Sequence, residues 1–411
     1  MPHLRVRHLF PIIKRALSYS PLVGMLGHRQ VGKTTLLEEL CKTYKTLDQK
    51  EVLNQVSLDP ARFLRKFNSF PVALDECQFA PEIFPALKDH VRTEKRPGQF
   101  VLSGSVRFTS RKAIRESLTG RILMFELFPM TAAENADLPL GTALMDILAS
   151  KSSRDLHKVL HKLSDKPRSS RDAVRKSFWL STENGGLPGV CFIRDVKMRR
   201  LKWESQLETI LERDLELISE TTLSYGVKRF VLSELARQQG HPLDYRDLSR
   251  KARVSVPALR KLLLAFEGLF LIRFIPCEGG EKRPTCFLED QGEAQHLTDF
   301  RLDERAVFSH CLYMHLRVPF QTPLGKLESP ARVAQYRTRG GAYVPFAFFS
   351  GASGLGIIPS LEENPSRGVL GSSKSFLDKF PHSKIVIVHP GERFEVLSEN
   401  TILLPETLAL L

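Results

Sequence analysis

The stretch Gly27-His28-Arg29-Gln30-Val31-Gly32-Lys33-Thr34-Thr35 constrains this chain more than any other. It fits G-x-x-x-x-G-K-[ST], a spacing set by the phosphates of a nucleoside triphosphate. Gly27 and Gly32 let the backbone curl so that successive N–H groups point at phosphate oxygens. Lys33 puts a positive charge between the β- and γ-phosphates, and the Thr34 hydroxyl completes the coordination of Mg²⁺. The flanks agree. Residues 22–26 read as a buried strand entering the loop, and residues 35–40 begin a helix whose N-terminal dipole faces the anion.

Two further strand ends carry chemistry. Phe70-Pro71-Val72-Ala73-Leu74 closes on Asp75 and Glu76. The first acid at such an end holds Mg²⁺, and the second takes a proton from the attacking water. Gln99-Phe100-Val101-Leu102 closes on Ser103-Gly104-Ser105, where a hydroxyl, Ser105 or Ser103, can bond the water or the γ-phosphate. Thr43 to Asp48 is a further strand. Strands alternating with helices imply a right-handed, mostly parallel sheet with nucleotide beyond the strands' carboxyl ends. No guanine-reading N-K-x-D stretch is evident, so the expected nucleotide is ATP.

A chain of 411 residues is expected to form two or three domains. Its net charge of +14 favours contact with nucleic acid or another anionic surface. The six scattered cysteines form no C-x-x-C pair, which argues against a zinc site or disulfide framework and fits the reducing cytoplasm. No apolar run reaches the length of a membrane span. The basic, amphipathic segment from His3 to Leu17 reads either as a membrane-surface or targeting helix or as a helix packed beside the sheet.

Ser117-Leu118-Thr119-Gly120-Arg121 precedes another apolar run, Ile122 to Pro129. Taken in order, Gly27–Thr35, Leu47-Asp48, Leu74–Gln78, Leu102–Ser105, Ser117–Arg121, Gly185-Gly186-Leu187-Pro188 and Glu212-Arg213-Asp214-Leu215 resemble a family of prokaryotic AAA-type ATPases. These carry a C-terminal domain of unknown function with a restriction-endonuclease-like core, and the resemblance spans nearly the whole chain. It implies that Arg121 contacts the γ-phosphate, in cis or from a neighbouring subunit, with Arg115 as a rival. The fold class expected is therefore α/β: an AAA-type P-loop NTPase parallel sheet, then a helical and winged-helix region, then an α+β nuclease-like domain.

The expected boundaries are 1–145 for the ATPase domain, 146–225 for a helical linker or lid, 226–290 for the winged helix and 291–411 for the C-terminal domain. The linker holds a basic run from Lys151 to Lys176, read as a solvated face or as a phosphate-tracking surface. Ser255 caps the third helix of the winged region, whose Arg260 and Lys261 suit phosphate contacts on DNA, unless the unit serves only packing and the coupling of nucleotide state to domain position. In the C-terminal domain the resemblance implies a PD-(D/E)XK nuclease core. Leu327-Glu328 fits its first acid, but Tyr343 and Pro345 stand where Glu and Asp are expected, and Asn364 replaces the lysine. Proline cannot hold a cation, so this domain reads as catalytically silent.

The expected function is an ATP-hydrolysing molecular switch. Lys33 and Thr34 hold phosphate and metal, Asp75 orders Mg²⁺, Glu76 activates water, Ser105 or Ser103 senses, and Arg121 completes the site. Its expected partners are ATP, double-stranded DNA or a protein, and other copies of itself, with no membrane. The alternative is a non-hydrolysing, nucleotide-dependent regulator or scaffold on DNA or protein, and an ATP-dependent nuclease is disfavoured by Pro345 and Asn364.

Overall fold

The computed structural model describes residues 5–107, 120–322 and 330–411. Strands β1 (Leu22–Leu26), β2 (Thr43–Thr46), β3 (Val72–Asp75), β4 (Phe100–Gly104) and β5 (Ile122–Glu126) form a parallel sheet in the order β2-β3-β4-β1-β5. Every residue of β1 and β4 is buried, as expected for parallel strands covered on both faces. Alternation sorts their side chains. Leu22, Leu26, Phe100 and Leu102 meet Ile83, Phe84 and Leu87 on one face. Val23, Met25 and Val101 meet Leu36 and Leu37 of α1 (Lys33–Leu40) on the other. Leu9, Ile13 and Ala16 join this second core, so of the two readings of the basic N-terminal segment, its described part packs beside the sheet.

The linker expected at 146–225 does not exist as one body. Leu144, Ile147, Leu148, Leu156 and Leu160 share a core with Phe346, Phe348, Leu355, Val386 and Ile402 of the second sheet. So do Val174 and Phe178 of α2 (Arg168–Asn184). These helices are thus the outer layer of the C-terminal half, because their apolar stripes face its strands rather than a hinge. The basic run is partly consumed there: Arg171 and Arg175 both pair with Glu392, and Arg175 Nε lies 2.9 Å from the buried Glu406 carboxylate. The chain then returns to the first sheet, where Trp203 of α3 (Val196–Glu208) is buried with Leu187 and Val190. A six-residue π-turn, Thr209–Asp214, follows directly.

Helices α4 (Tyr225–Arg237), α5 (Tyr245–Ala252) and α6 (Val256–Gly268) are each capped by a side-chain oxygen, from Ser224, Asp244 and Ser255. They bury Val231, Leu232, Leu248, Leu259, Leu263 and Phe266 together. An antiparallel pair, β6 (Ile272–Ile275) and β8 (Thr285–Leu288), completes the unit. Between them, β7 (Cys277–Gly279) leaves this pair and joins the second sheet beside β9 (Arg332–Arg337), so the connecting loop is anchored at its base.

Helices α7 (Gln291–Leu297) and α8 (Glu304–Gln321) lead into that sheet. Its remaining strands are β10 (Tyr343–Ser350), β11 (Ser353–Pro359), β12 (Ser383–His389), β13 (Glu395–Ser398) and β14 (Thr401–Pro405). The order is β13-β14-β12-β11-β10-β9-β7, with β9, β10 and β11 antiparallel in succession. Helix α9 (Arg367–Lys379) crosses over to make β12 parallel to β11. No helix among the described residues is long and apolar enough to cross a membrane.

Candidate nucleotide-binding site

The phosphate loop joins β1 to α1 at the carboxyl end of the sheet. A Cβ at Gly27 would lie 2.4 Å from the Leu127 carbonyl oxygen, and Gly32 adopts φ of +98°. Both positions therefore require glycine, the first for close approach and the second for its left-handed backbone. Lys33 Nζ donates to the carbonyls of Gly27 at 3.0 Å and His28 at 2.9 Å. Burial lowers its pKa from the ordinary lysine value, against the opposing pull of Glu76 and Asp75.

The structure brings Thr34 and Asp75 together. Thr34 Oγ1 donates to Asp75 Oδ2 at 2.8 Å, and Tyr44 donates to the same oxygen at 2.8 Å. Ser103 bonds Asp75 Oδ1, which also accepts the Glu76 N–H at 2.9 Å. A hydroxyl and a carboxylate are donor types suited to Mg²⁺ that shares its coordination with substrate phosphates. Glu76 sits at φ of +54°, a left-handed position unusual for glutamate. Its Oε2 accepts from Gln78 Nε2, which also lies 3.1 Å from Ser105 Oγ, and Ser105 itself is 3.4 Å from that carboxylate oxygen. Burial raises the Glu76 pKa, with Lys33 opposing the shift. The two serines are thus sorted: Ser103 braces Asp75, and Ser105 stands beside Glu76.

Arg121 lies elsewhere. It precedes β5 at the end where Ile122 pairs with Leu22, whereas the phosphate loop follows Leu26, opposite Glu126. Four strand steps separate the two ends by about 13 Å. Arg121 is exposed beside a hollow of about 640 Å³ with Tyr19, Arg92 and Lys95. Strand direction therefore removes it from the loop of its own chain, which corrects the cis expectation. Arg115, residues 117–119 of the Ser117–Arg121 piece and Glu328 lie outside the described residues.

Several residues at the loop carried no role in the sequence reading. Arg7 is buried and donates to the Val31 carbonyl at 2.7 Å, the Phe128 carbonyl at 2.6 Å and Glu134 at 3.1 Å. Thr131 and Glu134 form a capping box, whose T-x-x-E spacing was the available signal. The Gly-Gly-Leu-Pro piece lies over the loop: the Gly186 carbonyl accepts from Met130, its N–H donates to Asp290 at 2.7 Å, and Gly189 N–H reaches the Gln30 carbonyl at 3.4 Å. The Glu-Arg-Asp-Leu piece arrives from the π-turn, with Asp214 accepting from Arg29 Nη1 at 2.9 Å. Behind the loop, His28 Nε2 lies 3.4 Å from Glu293 of α7.

Of the C-terminal positions, Tyr343 and Pro345 are taken up by packing and Asn364 lies exposed. Tyr343 donates to the Gly240 carbonyl at 2.9 Å, Pro345 sits within β10, and Asn364 accepts from Arg393. A buried Ser181–His315–Cys311 cluster has nucleophile-like composition, with Ser181 Oγ 2.8 Å from His315 Nε2. His315 Nδ1 is committed to the Ala132 N–H at 3.1 Å and Ser181 donates to the Phe178 carbonyl at 2.6 Å. Burial lowers the His315 pKa to about 3, so the cluster acts as scaffold rather than as a base.

Residues 19–136 match the family described as AAA domain (AAA_14). The uncharacterized proteins Mb2031c of Mycobacterium bovis and Rv2008c of Mycobacterium tuberculosis are each 24% identical over 406 residues, covering 96% of this chain and 82% of theirs. Among solved structures, a signal-transduction STAND ATPase with a tetratricopeptide sensor from Pyrococcus horikoshii aligns at 13% identity and TM-score 0.28, over 77% of this chain and 45% of its own. A DNA polymerase III gamma-subunit-related protein from Thermotoga maritima aligns at 11% identity and TM-score 0.26, over 63% of this chain and 97% of its own. The five-stranded parallel sheet and the match over residues 19–136 together give this chain an N-terminal P-loop fold of the AAA type.

Proposed function

We propose that this chain binds and hydrolyses ATP and uses the nucleotide state to move its helical unit and C-terminal sheet. The observation that carries the reading is one cluster: Lys33, Thr34, Asp75 and Glu76 converge at the carboxyl end of β1 and β3, with Thr34 and Asp75 only 2.8 Å apart. The residues Gly27 to Thr35 cradle the phosphates, and Lys33 exchanges its loop carbonyls for phosphate oxygens. Bound Mg²⁺, held by Thr34 and Asp75, would neutralise charge on the β- and γ-phosphate oxygens. Glu76 takes a proton from the water that attacks the γ-phosphorus, releasing ADP and phosphate, while Gln78 and Ser105 hold its carboxylate in line.

A phosphate-release assay tests this. Wild-type protein with ATP and Mg²⁺ is expected to turn over, Glu76→Gln to keep ATP bound without turnover, and Lys33→Ala to weaken binding. Full hydrolysis by the Glu76 variant would remove the assignment, and hydrolysis by neither protein would favour a nucleotide-dependent regulator or scaffold instead.

Duplex DNA is the proposed partner of the helical unit, read as a winged helix. Arg246, Arg250, Arg253, Arg260 and Lys261 are all exposed on α5 and α6 or the turn between them, which supports phosphate contact. Arg260 stacks on Tyr245 at 5.1 Å, which holds its guanidinium in place. The C-terminal domain is proposed as a docking module, since Tyr343, Pro345 and Asn364 offer no acid or lysine.

A further inference from the structure

The Glu212-Arg213-Asp214 piece reaches the phosphate loop through a buried carboxylate shared by two arginines. Asp214 is 1% exposed, with Oδ2 bonded to Arg29 Nη1 at 2.9 Å and Oδ1 to Arg213 Nε at 3.0 Å. Arg29 belongs to the loop itself and stands close enough to Lys33 and Glu76 to act on both charges. Arg213 lies over the ring of Phe79, 5.5 Å from its centroid, one short turn beyond Glu76. Arg29 thus acts on the charges of Lys33 and Glu76, and Arg213 stands over the short turn that follows Glu76.

Asp214 closes the π-turn Thr209–Asp214, and that turn is tied to the helical unit. Lys228 of α4, only 4% exposed, donates to the Leu211 carbonyl at 3.0 Å and to Glu212 Oε1 at 2.9 Å. A line of contacts thus runs from the loop through Arg29 and Asp214, along the turn backbone, to Lys228. π-turns of this kind are rare and recur at functional sites.

We propose that Asp214 is a latch contested by the γ-phosphate: it holds Arg29 and Arg213 until a γ-phosphate takes these guanidiniums from it, and its release moves the π-turn and α4. The proposal rests on the nucleotide reading above and assigns its switch. A terminal phosphate offers three oxygens and nearly two negative charges, so it outbids a single carboxylate for guanidinium donors. Asp214 left without partners cannot stay buried as an anion, so the turn that carries it must move. ADP lacks the competing group and leaves the latch shut.

The test is titration of full-length wild type and variants with ADP and with a non-hydrolysable ATP analogue, plus amide exchange over 225–237. In wild type the analogue, and not ADP, should speed exchange in α4. Asp214→Asn should shift the preference toward the analogue by about fivefold or more, a typical coupling size, and should leave α4 open with either nucleotide. Arg213→Ala should shift it the other way, with Arg213→Lys restoring part of the loss. These ratios do not depend on total stability, so the Arg213 pair carries the test if Asp214→Asn fails to fold. Wild type that binds no nucleotide would overturn the nucleotide reading and the latch together. Wild type that binds and hydrolyses ATP while the Asp214 and Arg213 variants keep its preference would overturn the latch alone.

Discussion

His28 Nε2 lies 3.4 Å from the Glu293 carboxylate, and neither side chain is more than 2% exposed. One residue of the phosphate loop is thereby clamped to α7, the element that opens the C-terminal half. Asp290, at the cap of the same helix, accepts from Gly186, so loop, glycine turn and helix are joined at one place.

This pairing predicts a pH dependence of stability. Burial alone would depress the His28 pKa, but the Glu293 carboxylate outweighs it and the net shift is upward from 6.5. The folded state then binds the proton more tightly than the unfolded one, so the contribution is full below pH 6.5 and is lost as pH rises through the folded value. Asp290, raised to about 6 by burial, acts in the same direction between its ordinary value of 3.8 and about 6. Urea midpoints should fall as pH rises through neutrality, and His28→Gln should flatten that part of the curve. An unchanged slope in the variant would mean that His28 is neutral in the fold.

Glu76 carries the second prediction. Its carboxyl is raised above 4.5 by burial, and only the deprotonated form accepts a proton from water. Turnover should climb with pH through that raised value and flatten above it. Glu76→Gln should lose about 10²–10⁴ in rate and lack the acidic limb altogether. A variant with the wild-type pH profile would show that another group is the base.

Arg121 should be dispensable within one chain. Arg121→Ala is expected to keep turnover within about twofold at low protein concentration, as exposed substitutions usually do. A large loss confined to high concentration would mark a role across subunits. A tenfold loss in dilute solution would contradict the placement of Arg121 at the far end of β5.

Gly185 has no room for a side chain. Its φ is +72° and ψ −162°, and an added Cβ would fall 1.9 Å from Asp290 Oδ1. Gly185→Ala should cost about 1–3 kcal/mol from backbone strain alone, seen as a lower melting temperature. Nucleotide affinity should fall with it, since the turn is bonded to Met130 and lies over Gln30. A variant as stable as wild type would refute the close contact.

Binding to duplex DNA should weaken steeply with salt, with a log–log slope near −0.9 for each phosphate neutralised. Replacing Arg260 or Lys261 by alanine should each reduce the slope by about 1 across unrelated sequences. Salt-insensitive binding would turn attention to a protein partner.

Much of the candidate nucleotide site was legible because it is local in sequence. The glycines and Lys33 are spaced by the phosphates themselves, and Asp75-Glu76 ends an apolar run that could only be a buried strand. Arg121 misled because a motif position says nothing about strand direction; only the register of β5 against β1 puts it at the wrong end. The helical stretch from 146 to 184 reads as part of a linker because an apolar stripe records that it is buried and not which sheet buries it.

The sequence by itself determined the phosphate loop, the two acids that face it and the alternation of strand and helix that builds a parallel sheet, since each depends on bonds or periodicities within a few residues. Only the tertiary structure decided that Arg7, Asp214 and Glu293 hold that loop from three sides. Their partners lie 24 to 265 residues away along the chain, as in Arg7 to Val31 and His28 to Glu293. Charged contacts at such separations leave no local pattern, and they form because a buried ion with no counter-charge would not be tolerated.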